Sequence, residues 1–333
     1  MKKQLLIVFA LVTVWGCSTI IPPFAPKKTG KLSQSAVAME ADKYFWDNFH
    51  RGNYDSIPQM LDKLTAAYLD NNEDYRLAAH IGFTHSWALA ESGRMDQPSP
   101  RVTDHATLAV KYFDEAFVLH PDKEWRYYGF MVSMYMAEGG IHGNMQDMTE
   151  GYFKMKKAAR KYPEFNLFTA AYTLAMSPRK KDREAAVNML WENLDKCAGE
   201  KVDRKNLDYR KYLSRKTVEG KQSTCWNTWI APHNMEGFLM ILGDLLLKRR
   251  DYATALRVYE NAKYFQEYKH WDYQKHLDAR IDYATAIATQ QEYTEIEVMK
   301  FDRCMVCHQD SKMKSAPDNV HLQLPSMNVA DHY

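Results

Sequence analysis

With 333 residues, 46% of them hydrophobic and 13% aromatic, the chain can bury a large core. Its 44 lysines and arginines nearly balance 42 aspartates and glutamates, a balance in which nothing points to a nucleic-acid backbone or an anionic lipid surface as an electrostatic partner. Five cysteines are few enough to be assigned one by one, and their fates depend on the compartment.

At the N-terminus, Lys2 and Lys3 precede an apolar run from Leu5 to Trp15, which is too short to span a membrane and is laid out as a secretory signal. The run ends in Val14-Trp15-Gly16-Cys17. An aliphatic residue, then a small residue, then cysteine resembles the bacterial lipoprotein processing site. The resemblance implies that residues 1–16 are removed and that Cys17 is acylated as the new N-terminus. Ser18, standing where an aspartate would mark inner-membrane retention, implies an outer-membrane anchor with a soluble periplasmic body. An ordinary signal cut elsewhere is the alternative. Losing Lys2 and Lys3 reduces 44 basic residues to 42, equal to the 42 acidic ones. Residues 17–38 carry Pro22, Pro23, Pro26 and Gly30 with little apolar periodicity, and read as a tether.

From Met39 onward the apolar spacing is helical and no strand alternation appears, so the expected fold class is all-α. Leu242-Gly243 is followed by Ala255, Tyr259 and Ala262. Ile81-Gly82 is followed, after an insertion, by Ala109, Phe113, Ala116 and Pro121. Gly151, Met155, Ala158 and Pro163 keep the same spacing, and weaker copies begin near Tyr54 and Arg183. This pattern resembles the tetratricopeptide repeat, although Glu267 replaces the closing proline of the copy at Leu242. The resemblance implies a TPR-like solenoid of stacked helical hairpins over residues 39–270, whose inner surface is free for a partner. An irregular helical bundle is the alternative.

Between Lys196 and Gly237 the repeat breaks down. There Trp226, Trp229, Pro232 and His233 could line a ligand or haem pocket, or plug the groove. Gly139 to Met145 reads as a loop with a solvated His142. His80 and His85, five apart, miss the spacing that puts two ligands on one helix face, and read as core and groove residues. Met134, Met136 and Met235 read as packing.

Residues 271–333 hold one more helix, marked by Leu277, Ile281, Ala284 and Ile287, and then Cys304-Met305-Val306-Cys307-His308. Two thiols three apart can each add to one vinyl group of a porphyrin, and the following histidine falls under the iron. A redox dithiol or half a zinc site shares the Cys-x-x-Cys spacing, but no strand precedes the motif and no further ligands accompany it. The motif resembles the attachment site of c-type cytochromes, which implies one covalent haem c on Cys304 and Cys307 with His308 as the iron ligand. For the sixth position the tail offers Met327 ahead of His321 and Met313, with an open position as the alternative. Only 25 residues follow His308, so the small cytochrome fold cannot be built from this tail. The repeats, a partner or water must cover the haem. Cys197 and Cys225 remain, and an oxidising compartment joins such a pair as a disulfide worth about 3 kcal/mol, with two free buried thiols as the alternative.

The expected function is therefore that of a lipid-anchored monohaem cytochrome. It acts in electron transfer or redox-partner docking, with a protein redox partner on the repeat surface and the outer membrane reached through Cys17. The alternative is a scaffold or solute-binding lipoprotein resembling the T component of TRAP-type transport systems. No second haem motif or distal acid-base set points to a peroxidase-like catalyst.

Overall fold

Side-chain caps set several helix starts. Ser35, Asp74, Glu124, Asn144 and Asp251 each accept a hydrogen bond from a backbone N–H in the first turn that follows, which satisfies donors with no partner inside the helix. The computed structural model describes residues 28–93, 95–213, 220–289 and 304–315. Cys17, His321 and Met327 lie outside them.

Among the described residues the chain is all-α, with twelve α-helices and no strand. These are α1 (Ala36–His50), α2 (Ile57–Asp70), α3 (Tyr75–Ser92), α4 (Val102–Leu119), α5 (Trp125–Ile141), α6 (Met145–Lys161), α7 (Pro163–Ala175), α8 (Lys180–Ala198), α9 (Asn234–Lys248), α10 (Tyr252–Ala262), α11 (Gln274–Ala288) and α12 (Met305–His308). From α1 to α11 each helix packs against its successor in the chain, and α5 also packs against α7. No helix among the described residues is long and apolar enough to cross a membrane.

Small residues set the closest approaches. Gly82 faces the ring of Phe113, Gly243 faces the ring of Tyr259, and Gly151 faces Met136, so that a Cβ at Gly243 or Gly151 would collide with its neighbour. The paired positions Ala109, Phe113 and Ala116, and Ala255, Tyr259 and Ala262, are completely buried. One ion pair joins the next layer: Arg280 of α11 donates through Nε to Asp244 of α9 at 2.8 Å, and Tyr259 of α10 donates to the same carboxylate at 2.6 Å.

Three details differ from expectation. The chain enters the fold before residue 38: Lys31 donates to the Glu73 carbonyl at 3.0 Å, and the Ser33 N–H donates to Asp74 Oδ2 at 2.7 Å. The acids at the α3 start supply acceptors that an extended strand-like segment can use. Helix α5 runs through Gly139 and Gly140 to Ile141, so the glycine loop is shorter than expected, while His142 is exposed. Between α8 and α9 the chain is irregular, with 3-10 turns at Tyr209–Tyr212 and Lys221–Thr224. There Cys197 and Cys225 are bonded at 2.06 Å with their Cα atoms 5.4 Å apart. Asn261 of α10 pins the same segment by accepting from the Tyr209 N–H at 2.7 Å and donating to the Leu207 carbonyl at 3.2 Å.

Candidate functional site

The short helix α12 carries the Cys-x-x-Cys-His motif and docks on α9 and α1. Gly237 makes the docking possible, because a Cβ there would collide with Cys307 Sγ. Hydrogen bonds then fix the motif from several parts of the chain. Trp271 Nε1 donates to the Val306 carbonyl at 2.8 Å, the His233 N–H to the Cys307 carbonyl at 3.1 Å, and the Asp310 N–H to the His50 carbonyl at 2.8 Å. Tyr273 donates to Gln309 Oε1 at 3.0 Å.

Cys304 is half-buried, Cys307 is buried, and the two are not joined to each other. Burial, with Cys304 and Glu236 nearby, pushes the Cys307 thiol well above its ordinary value. His308 Nδ1 lies 2.8 Å from the Ile230 carbonyl oxygen. A carbonyl only accepts, so Nδ1 carries the proton and the lone pair resides on Nε2, the tautomer a metal-bound imidazole requires. Burial lowers the His308 pKa, which keeps the ring neutral. His50 Nε2 approaches the same carbonyl at 3.3 Å, and burial pushes its pKa down to about 4.

Cys304, Cys307 and His308 lie in the wall of one cavity with about 1170 Å³ of unfilled space, its open mouth included. Phe130 from α5, Phe165, Phe168 and Tyr172 from α7, and Phe238 and Ile241 from α9 make most of it apolar. The Cys197–Cys225 disulfide is also in the wall. So are Trp226, Ile230 and Ala231, which makes the insert between α8 and α9 a wall and not a plug. Trp229 turns the other way, its ring centroid 4.9 Å from that of Trp46 and 4.8 Å from His50. His233 is fully buried beside the motif, with Nδ1 3.5 Å from Glu236 Oε1, and does not line the cavity.

These residues fit a covalent haem. A mainly apolar cavity has both motif cysteines, not bonded to each other, and one oriented, neutral histidine at one place in its wall. The porphyrin supplies four of the iron's ligands, so one protein nitrogen suffices on that face, and no group of three or more metal-ligating acids, histidines or cysteines is present among the described residues. Met313 is half-buried and outside the cavity wall, whereas Met235 is within it.

Other histidines pair elsewhere. His80 Nδ1 lies 3.0 Å from Asp42 Oδ1, and His85 Nδ1 lies 2.9 Å from His105 Nδ1, with burial pushing His85 down to about 4. Sequence reasoning missed the contribution of α5 and α7 to the site. The available signal was aromatic density, in Trp125 to Phe130 and again in Phe165 to Tyr172. Comparisons with protein-family models, with curated proteins and with solved structures found no match for this chain.

Proposed function

We propose that the protein is a lipid-anchored periplasmic monohaem c-type cytochrome on a TPR-like helical scaffold, passing single electrons to or from a protein partner. One observation carries the reading: His308 donates through Nδ1 to the Ile230 carbonyl at 2.8 Å and shares an apolar cavity wall with both motif thiols. Cys304 and Cys307 would hold the porphyrin through thioethers, and His308 Nε2 would bind the iron. The bound group supplies a one-electron couple at its iron. The phenyl rings of Phe130, Phe165 and Phe168 in the cavity wall would exclude water from the bound group, and the Ile230 carbonyl keeps the His308 ring oriented. Helices α5, α7 and α9 supply most of the apolar wall of the site.

The scaffold part of the reading rests on glycine-to-ring approaches at Gly82 and Gly243, which recur at the spacing of the repeat. The anchor rests on Val14 to Cys17 and Ser18 alone.

The deciding measurement is haem staining after denaturing electrophoresis, with a pyridine haemochrome spectrum, on protein exported in a host with a working haem-attachment system. One covalent haem per chain is expected, and none after Cys304→Ala with Cys307→Ala. Unstained wild-type protein would refute the proposal and leave the helical-repeat scaffold as the better account. Cys17→Ala is expected to release the body from the outer membrane or to leave the signal uncleaved.

A further inference from the structure

The chain repeats a local motif at two buried helix starts. In Asp74-Tyr75-Arg76 the acid caps α3, accepting from the Arg76 N–H at 2.9 Å and from Arg76 Nη2 at 3.1 Å. In Glu124-Trp125-Arg126 the acid caps α5 in the same way, with both distances 2.9 Å. The two arginines then part. Arg76 is closed off by a second carboxylate, Asp42, at 3.7 Å, and by the Ser33 carbonyl at 3.2 Å. Arg126 has no second carboxylate within ion-pair distance among the described residues. Instead it lines the cavity that holds the cysteine motif, so that its Nε, buried without a hydrogen-bond partner like Nε and Nη1 of Arg76, lies beside open space and not beside a second acid. A buried guanidinium donor left unmatched is costly.

Position matters as much as chemistry. Arg126 is on α5, which packs against α4, α6 and α7, while the motif helix α12 docks on α9 and α1. The cavity therefore reaches between them. In haem the two vinyl groups lie along one edge of the porphyrin and the two propionates along the opposite edge, so a ring tethered at Cys304 and Cys307 directs its carboxylates away from α12. The other partnerless buried atom in this wall, Glu164 Oε2, is an acceptor and repels an anion, which leaves Arg126 as the cation for it.

We propose that Arg126 is the carboxylate-binding residue of this cavity and receives a haem propionate as the second acid that Arg76 finds in Asp42. The assignment rests on the haem reading above. It makes Arg126 a positioning residue for the porphyrin, not a catalytic one.

The test compares wild type, Arg126→Gln and Arg126→Lys as holoproteins carrying the covalent haem. Resonance Raman spectra report the propionate bending band directly, and spectroelectrochemistry gives the reduction potential. Arg126→Gln is expected to shift the propionate band and lower the potential, because a positive charge that favours the reduced iron is gone. Arg126→Lys is expected to shift the band, having lost the planar donors, while holding the potential near that of wild type. If Arg126→Gln does not fold, the band in Arg126→Lys alone decides. Haem-stained variants with the wild-type band would overturn the Arg126 assignment and leave the haem reading intact. Unstained wild type would overturn both.

Discussion

In the hairpins α3–α4 and α9–α10 a glycine lies against an aromatic ring of the next helix, Gly82 on Phe113 and Gly243 on Tyr259. At α12 the same device sets Gly237 against Cys307, but between segments far apart in the chain. The hairpins are built from neighbours in sequence, and their burial repeats with the helix period. The motif is held by Ile230, His233, Trp271 and His50, drawn from the insert, the α10–α11 link and α1. Four residues of helix cannot stabilise themselves, so the geometry of His308 is lent to it by the rest of the fold. Damage to a hairpin should therefore reduce stability first and haem geometry second, and damage at the motif should do the reverse.

The largest effect expected is on the hairpin side. Asp244→Ala leaves the Arg280 guanidinium buried beside a lost partner and should cost about 3–5 kcal/mol in chemical denaturation. Should the variant instead lose haem spectral features while keeping its denaturation midpoint, the two regions are not separable as described.

Acid pH should affect both regions. His50 beside the motif and His85 on α3 have folded-state values of about 4, below the ordinary value of 6.5, so each binds its proton more readily in the unfolded chain. Their stabilising contribution is complete above about pH 6.5 and is lost as pH falls toward about 4, up to about 3 kcal/mol for each histidine. His85→Gln should flatten this acid slope without touching the haem spectrum, whereas His50→Gln should flatten it and also perturb the spectrum through the shared Ile230 carbonyl. Equal spectra for the two variants across that range would count against a special role for the His50 neighbourhood.

Crowding the glycines sharpens the contrast further. Gly237→Ala and Gly243→Ala should each cost about 1–3 kcal/mol, since each new Cβ must displace a packed neighbour. Haem loading, measured by the pyridine haemochrome, should fall only in Gly237→Ala. The smallest effect is expected from Tyr273→Phe, which removes the bond to Gln309 and should cost about 1 kcal/mol in thermal or chemical unfolding. A loss several times larger would mean that the segment after His308 contributes more to folding than one hydrogen bond.

Sequence alone determined the helical class, the buried Ala109, Phe113 and Ala116 and their counterparts near Tyr259, and the chemistry open to Cys304, Cys307 and His308. Each of these follows from periodicity or spacing over a few turns, which the polypeptide backbone imposes locally. Tertiary structure decided what surrounds the motif. Nothing in the spacing around His308 names Ile230 as its hydrogen-bond partner, Gly237 as the residue that lets Cys307 approach, or Phe130 and Phe168 as wall residues. The insert shows the same limit: Trp226 and Trp229 sit three apart in sequence, yet one lines the cavity and the other packs against Trp46 and His50. An irregular segment has no period from which to read the direction of a side chain, so its role depends on which helices it meets. The same holds for Arg76 and Arg126, each two residues after a capping acid, where only the tertiary surroundings decide whether a second acid or a cavity faces the guanidinium.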